Sequence, residues 1–453
     1  MGIRRIIFSV LCFLSLSLNN VRAQEISLIG DEETERALYS FQRPLFKAAG
    51  LNPESLKIRL VKDNEINAFA TAGGYVFVHT GLLLKAQNAQ EVIAVLAHET
   101  GHISGGHIVR LAENMRIAQR NMLISMILGA AVAAAGGADA GAAVMTGGMS
   151  SANGLLAGYR RTEENAADQA AVSLLSKTRH DLSGFRSIMA KLSRQESWQA
   201  EYKDAVLWRT HPMVKERLAF ILSSEETKKI PFRPDFQKME RENKLFERIQ
   251  AKLFAFIEPP EKTLERYPVS NTGLPARYAR VIADYKSGNF EEALSGLDGL
   301  IRDFPDDPYF YELKGQIYFE TGKAKEAVPF YEKAVSLLPG SVLMRLGLAQ
   351  AQIETDTPES LKAAVKNLEL ASAQDSEIAL LRRLQAVAYG RTGQEGLAAY
   401  AMSEYYFMLS DAPKALMFAR KARTLLPAGS PASLRAADIE EHLSRSDGQN
   451  GFR

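Results

Sequence analysis

The sequence contains little cysteine and no excess of charge of either sign. Cys12 is the only cysteine among 453 residues, so a disulfide framework is excluded. Lys and Arg number 55 against 53 Asp and Glu, which gives a formal net charge of +2. This balance excludes a broad polyanion-binding surface, and we expect no nucleic acid partner. The hydrophobic fraction of 46% is ample for buried cores and excludes wholesale disorder.

Long hydrophobic runs are also scarce. Near the start, Arg4 and Arg5 precede an apolar run from Ile6 to Leu18, and Ala23 ends the segment. This is the layout of a secretory signal peptide, and the run is shorter than the ~20 residues that a membrane anchor needs. We expect cleavage after Ala23 and export of the mature chain. Removal of Cys12 would leave no thiol nucleophile and would suit an oxidising compartment.

A second hydrophobic segment covers residues 122–138, and small residues follow it to about Leu156. The segment is slightly short for a membrane span. We favour a core or interface hairpin. Peripheral contact with a membrane surface is the alternative.

A repeat of 34 residues marks the C-terminal half. Gly288 and Gly322 have this spacing, as do Pro305 and Pro339. Glycine at the turn between two helices and proline after the second is the signature of tetratricopeptide (TPR) units. We expect roughly four units, the later ones degenerate, stacked as an α-solenoid over residues 276–443 and followed by a polar tail at 444–453. Such an array presents a concave surface that binds a peptide or protein.

Prolines between residues 259 and 275 predict a linker, because proline cannot continue a helix. Residues 24–258 then form an N-terminal domain, whose charged segment from about 230 to 257 predicts an exposed helix. Within this domain, alternation over residues 73–79 predicts a strand. An extended substrate could pair with that strand at Gly74, Tyr75, Val76 and Phe77. The same pattern equally supports a buried core strand.

The sequence His-Glu-Thr-Gly-His at positions 98–102 carries the chemistry. Asn88 begins the predicted helix, and the glycine pair at 105–106 ends it. His98 and His102 lie one helical turn apart on the same face, where they can bind one zinc ion. Glu99 is then placed to take a proton from a zinc-activated water.

A catalytic zinc site needs a third protein ligand. A third histidine in the metzincin spacing is excluded, because His107 falls one residue early; we expect it to be structural or to lie beside the ligands. Farther along the chain, Glu164 and Asp168 share one helix face. One of them could bind the metal while the other accepts a hydrogen bond from a ligating histidine.

These features together resemble the HtpX/BepA-type zinc metallopeptidases. The resemblance rests on the 98–102 helix, on Glu164 and Asp168, and on Asn-Ala-Phe-Ala at 67–70 before the glycine pair at 73–74. It covers almost the whole expected mature chain. It implies a mainly α fold, with a gluzincin-type metallopeptidase domain of helices and a small β-sheet ahead of the TPR solenoid.

The same resemblance implies the roles of the site residues. One Zn²⁺ per chain would be held by His98, His102 and Glu164, with Glu99 as general base and Asp168 orienting a ligand. His211, in a Thr-His-Pro motif, would either stabilise the oxyanion or sit on the zinc as a plug.

The resemblance also implies a cellular role. The exported protein would act in the periplasm. Its substrates would be unfolded or misassembled outer-membrane proteins, and the TPR units would bind the outer-membrane assembly machinery. A chaperone-like binding protein with rare proteolysis is the alternative from another class.

Overall fold

The structure is a computed structural model that describes residues 27–71, 73–134, 138–199, 217, 219, 223 and 233–450. The fold is mainly helical with one small sheet, as predicted. The expected signal peptide at 1–23 and the predicted site residue His211 lie outside the described residues. No helix in the described parts of the chain is both long and apolar enough to cross a membrane.

One sheet lies in the N-terminal domain. Its strands are β1 (Leu28–Ile29), β2 (Lys57–Val61), β3 (Ala68–Ala70) and β4 (Tyr75–His79). Their order is β1-β2-β4-β3, with β4 parallel to β2 and antiparallel to β3. The edge strand beside β4 is therefore β3.

This order corrects the prediction that residues 74–77 form a substrate-binding strand. Both edges of β4 are already paired: Lys57 donates its backbone N–H to Gly74 at 3.0 Å, and Thr71 donates to Tyr75 at 2.9 Å. Val76, paired with Ile58 and Ala70, is fully buried. Residues 75–77 therefore belong to a core strand that Gly74 directly precedes, an interpretation that the sequence supported equally. Phe77 pairs with Phe69 of β3, so no open edge lies beside it on that side.

Helices cover the sheet and form most of the N-terminal domain. They are α1 (Glu32–Ala48), α2 (Thr80–Lys85), α3 (Ala89–Ser104), α4 (His107–Ala134), α5 (Ala138–Lys177) and α6 (Ser183–Gln199). The core is formed where α1, α3, α5 and α6 meet the sheet, and it contains Phe41, Ile93, Val172 and Phe185. The site helix α3 is buried in the middle of this core, with nearly every residue from Ala89 to His102 inaccessible to water.

Helices α4 and α5 form an antiparallel hairpin over the second hydrophobic segment. A Cβ added at Gly129 would lie 2.7 Å from the carbonyl oxygen of Gly141, so glycine permits the close packing of the two helices. The two helices form the predicted hairpin, but it does not lie in the core, so of the two expected places only an interface remains. Leu123 and Ile127, for example, are 58% and 61% exposed.

The charged segment before the linker forms α7 (Phe236–Ile257), and the prediction that it is exposed is wrong. Phe246 and Ile249 lie in the core of the N-terminal domain, while Ala251 and Ala255 pack into the first TPR core. Most charged residues lie on the outer face of this amphipathic helix, but Lys252 is buried and pairs with Asp31. The predicted linker contains a short helix, α8 (Pro260–Arg266).

Ten further helices form the C-terminal region, paired as five antiparallel hairpins in the stretch described from 233 to 450, one more than predicted. They are α9 (Leu274–Lys286), α10 (Phe290–Asp303), α11 (Pro308–Glu320), α12 (Ala324–Leu337), α13 (Val342–Thr355), α14 (Pro358–Gln374), α15 (Ala379–Arg391), α16 (Glu395–Met408), α17 (Ala412–Leu425) and α18 (Pro431–Asn450). The last helix extends through most of the predicted polar tail.

The turn positions explain why the third unit is difficult to recognise. Gly288 and Gly322 have φ angles of +81° and +77°, in the left-handed region that favours glycine. Asp356 occupies the next position in the 34-residue spacing with φ +55°. Aspartate tolerates this conformation, so the register continues without its glycine marker.

Salt bridges join the C-terminal units to the N-terminal domain. Arg59 on β2 contacts Asp375 at 2.7 Å, after α14. A second connection is made by Arg248 of α7, which forms ion pairs with Glu33 of α1 and with Asp307 just before α11. The first TPR units are thus fixed to the domain that carries the site.

Candidate metal centre

Local sequence signals set the limits of helix α3. The Asn88 side chain accepts a hydrogen bond from the Glu91 N–H at 3.1 Å, and Glu91 accepts one from the Gln87 N–H at 2.9 Å. The helix ends at Ser104, and Gly106 follows with φ +67°. Within these limits, the four-residue spacing places His98 and His102 on one face.

Glycine at position 101 lets α5 cross α3 closely. A Cβ added at Gly101 would lie 2.8 Å from the carbonyl oxygen of Ala167. This is closer than a side chain tolerates, so the crossing needs glycine at this position. The close crossing brings Glu164 of α5 within reach of both histidines of α3.

The three predicted ligands converge. Glu164 lies 3.4 Å from His98 Nε2 and 3.2 Å from His102 Nε2, and the two imidazole nitrogens are 3.0 Å apart. One ligand atom from each residue lies within 4.8 Å of the other two, and all three side chains are buried or nearly so. Two imidazoles and a carboxylate around one point are a donor set that fits a divalent metal such as zinc.

His98 is held from behind by an ion pair that the sequence did not reveal. Its Nδ1 lies 2.9 Å from Asp168, and a carboxylate there can only accept the Nδ1 proton. Arg217 in turn donates to both carboxylate oxygens of Asp168, at 2.8 Å each, and lies 2.9 Å from Glu164. The predicted orienting role of Asp168 agrees with this geometry, whereas Arg217 was not predicted.

Electrostatics in this group follow from burial and pairing. Burial and Arg217 act against the charged form of His98, but hydrogen bonds to Asp168 and Glu164 raise its pKa to about 9. Burial opposes ionisation of Asp168, yet the Arg217 charge and its hydrogen bonds lower the pKa of Asp168 to about 2. Asp168 is therefore an ionised acceptor throughout the physiological range.

His102 is held by a second chain of hydrogen bonds. His107 Nε2 lies 2.5 Å from Glu163, and its Nδ1 lies 2.9 Å from His102 Nδ1. Burial and the neighbouring His102 lower the pKa of His107 to about 4, so it is neutral. Neutral His107 that donates to Glu163 must accept at Nδ1, which places the His102 proton on Nδ1 and leaves Nε2 as a metal donor.

Glu99 lies between the metal ligands and the sheet edge. Its carboxylate accepts a hydrogen bond from the Ala70 N–H of β3 at 2.9 Å. A mainly apolar pocket adjoins Glu99 and His98. Its walls come from α2, α3 and α6, including Leu82, Val95, Phe185, Ile188 and Met189.

Comparison with known proteins agrees with this organisation. Residues 32–225 match Peptidase family M48, and the match includes strands β2 to β4, both site helices and the position of Arg217. Residues 278–342 match the tetratricopeptide repeat. The chain therefore carries an M48 peptidase domain followed by TPR units.

Within this class, the chain is homologous to the beta-barrel assembly-enhancing proteases. It is 24% identical over 319 residues to that protein of Escherichia coli (strain K12), covering 66% of this chain and only 61% of the length of the relative. It is 28% identical over 169 residues to the metalloprotease LoiP of the same strain, covering 37% of this chain and 62% of LoiP. Among solved structures, the TPR protein YrrB is 19% identical, covers 41% of this chain and 97% of its own, and gives a TM-score of 0.32.

Proposed function

We propose that this chain is an exported, zinc-dependent endopeptidase that acts in the periplasm on outer-membrane proteins during their assembly and quality control. The convergence of His98, His102 and Glu164, with Glu99 beside them, carries this proposal. The peptidase domain and the name of the E. coli relative support the setting. The TPR units would hold unfolded clients or the outer-membrane assembly machinery.

In this proposal, His98, His102 and Glu164 hold one Zn²⁺ per chain. The ion, when bound, would polarise the scissile carbonyl and lower the pKa of a water molecule toward ~7. Glu99 takes the proton of the attacking water and passes it to the leaving amine. Asp168 and His107 keep the two imidazoles in the tautomers that carry the proton on Nδ1 and not on Nε2.

The substrate would lie along β3 rather than β4. Hydrogen bonds of the antiparallel pair alternate, and those at Asn67–His79 and Thr71–Tyr75 direct the backbone groups of Ala68 and Ala70 away from β4. Because the Ala70 N–H already bonds Glu99, a peptide at this edge would exchange with the Glu99 carboxylate for that donor. An extended peptide added at this edge would pass directly over Glu99. Main-chain pairing gives affinity that is largely independent of sequence, which suits unfolded clients.

The pocket beside Glu99 would then supply the side-chain preference. Its aliphatic and aromatic lining favours an apolar substrate residue next to the scissile bond. We therefore expect cleavage sites in unfolded proteins to be flanked by an apolar residue.

His211 is proposed either as an oxyanion stabiliser or as a plug on the zinc. The His211→Ala variant separates these roles by its effect on peptide cleavage. A rise in activity would favour the plug, and a fall would favour oxyanion stabilisation. An unchanged rate would remove His211 from both.

The proposal is tested by a protease assay on unfolded casein with the Glu99→Gln variant. This variant should retain its zinc and lose cleavage, because the carboxylate base is gone while all three ligands remain. The exposed Glu54→Gln change on the N-terminal domain is a matched control and should cleave like the wild type. Full activity of Glu99→Gln would refute the assigned role of Glu99.

The alternative is a chaperone-like TPR protein in which proteolysis is rare. If the zinc-loaded wild type bound unfolded outer-membrane protein but cleaved neither that protein nor casein, the alternative would hold instead. The buried metal donor set with an adjacent base favours catalysis, since a binding scaffold has no use for either.

A further inference from the structure

The hairpin of α4 and α5 carries an apolar surface that the peptidase chemistry does not use. Between Arg120 and Arg160 the only charged residue is Asp139. We call the described residues 121–133 and 139–159 the apolar arm. Its exposed large side chains include Leu123, Ile124, Met126, Ile127, Leu128, Val132, Val144 and Met149.

On α4 these side chains cover more than half of the helix circumference and so form more than one narrow stripe. At ~100° per residue, the exposed positions from Leu123 to Leu128 span an arc of about 200°. The opposite face is used for packing on α5, where Gly129 meets Gly141 and Ser125 meets Gly148. A protein groove covers a single stripe of about 100° and would leave much of this arc in water, whereas lipid can surround it.

Basic residues flank the apolar arm at its base. Arg116 and Arg120 are exposed on α4, and Arg160 and Arg161 follow the arm on α5. Residues 110–161 contain five arginines against two acidic residues, in a chain that is otherwise balanced. An apolar surface next to a basic one complements the acyl chains and anionic headgroups of a bilayer.

We propose that the apolar arm docks on the surface of a lipid bilayer that contains anionic lipids. Its apolar arc lies in the boundary between headgroups and acyl chains, ~5–10 Å deep, with the arginines at the headgroups. Asp139, near the far end of the arm, opposes deep insertion because a charge is costly in hydrocarbon. The arm therefore lies along the surface instead of crossing the membrane.

Docking would also place the metal centre at the membrane. Helix α5 runs continuously from Ala138 to Lys177, so it joins the apolar arm to Glu164. Arg160 precedes Glu164 by four residues, a rise of ~6 Å along the helix. This consequence rests on the proposed function, because it brings proteolysis to the membrane surface, whereas docking itself does not depend on catalysis.

Vesicle co-sedimentation tests the docking. The mature protein should bind vesicles of 70% phosphatidylcholine and 30% phosphatidylglycerol, and less tightly vesicles of phosphatidylcholine alone. Leu123→Gln with Ile127→Gln should reduce binding by about 100-fold, from roughly tenfold per buried side chain. Arg116→Gln with Arg120→Gln should reduce binding to the anionic vesicles by about 25-fold, from ~fivefold per arginine.

A matched control comes from the TPR units, where Met417 and Leu434 are 55% and 57% exposed. Changing both to Gln should leave vesicle binding unchanged, and so should Glu99→Gln, which separates docking from proteolysis. Equal binding to neutral and anionic vesicles, or an equal loss in the TPR control, would overturn the proposal. The proposal would also be overturned if the wild type were a dimer that the Leu123→Gln/Ile127→Gln variant converts to a monomer while vesicle binding stays unchanged. A second copy of the chain would then be what covers the apolar arm.

Discussion

Arg217 binds both carboxylate oxygens of Asp168, at 2.8 Å each, and so fixes the group that holds His98. Both side chains are buried, at 4% and 0% exposure. The bidentate geometry fixes the plane of the Asp168 carboxylate, and the hydrogen bond that this carboxylate accepts from Nδ1 fixes the orientation of the His98 ring. The orientation of one proposed ligand therefore depends on Asp168 and on Arg217, whose Nη2 also lies 3.2 Å from Nδ1 and 3.4 Å from Nε2 of His98.

Changing Asp168 to Asn tests this arrangement. The amide oxygen is a weaker acceptor for the Nδ1–H of His98 than the carboxylate, and the uncharged amide forms no ion pair with Arg217. Zinc affinity should therefore fall about 10- to 100-fold. Competition with a chelator measures the affinity. Asp181→Asn, at a partly exposed carboxylate that caps α6, is the control and should bind zinc like the wild type. Equal affinities in the two variants would contradict the role of Asp168.

His107 should matter for metal binding although it is not proposed as a ligand. In His107→Phe, His102 loses the acceptor that keeps its proton on Nδ1, so zinc affinity should fall about 10- to 100-fold. His180→Phe is a control at another buried histidine, paired with Glu242 away from the cluster. That change should lower thermal stability and leave zinc affinity unchanged. If His107→Phe kept the wild-type affinity, the hydrogen-bond chain would have no function in binding.

Much of the site could be predicted because its signals are local. The four-residue spacing of His98 and His102, the cap at Asn88 and the pair Glu164 and Asp168 each act within one helix. Arg217 has no such signal, since its partners are distant in sequence and only tertiary packing brings them together. His107 had no definite role in the sequence prediction. A spacing rule finds side chains that bind the metal, but it does not find a residue that hydrogen-bonds to one of those side chains.

The fold shows the same division between local and long-range information. Helix α7 was predicted to be exposed from its charge, yet its apolar residues at Phe246 and Ala251 join two different cores. The pairing of β4 on both edges depends on β2 and β3 together, which no single segment reveals. The third TPR unit was predicted only as a degenerate copy, because Asp356 replaces the glycine on which the repeat pattern relies.

Glu35 on α1 should make stability depend on pH. Burial raises its pKa to about 8, against the opposing charge of Arg59. A carboxyl group with a raised pKa binds its proton more tightly in the folded state, so the free energy of unfolding decreases as pH rises from about 4.5 to about 8. Glu35→Gln removes this loss. Its melting temperature relative to the wild type should therefore rise between about pH 5 and about pH 8.5.

The control for this prediction is Glu54→Gln, because the Glu54 side chain is 74% exposed and water surrounds it in the folded protein as in the unfolded chain. No comparable rise with pH is expected in that variant. A melting-temperature difference for Glu35→Gln that stayed constant across the same pH range would show that folding leaves the proton affinity of Glu35 unchanged.

The central claim is that Glu164 completes a metal centre begun by His98 and His102. Its most direct test is the zinc content per chain of the purified mature protein, measured by elemental analysis. The wild type and Asn165→Ala, an exposed change at the next position on α5, should each retain about one zinc, as a three-ligand site with an open position requires. Glu164→Gln should lose most of it, and a full zinc complement in that variant would contradict the account.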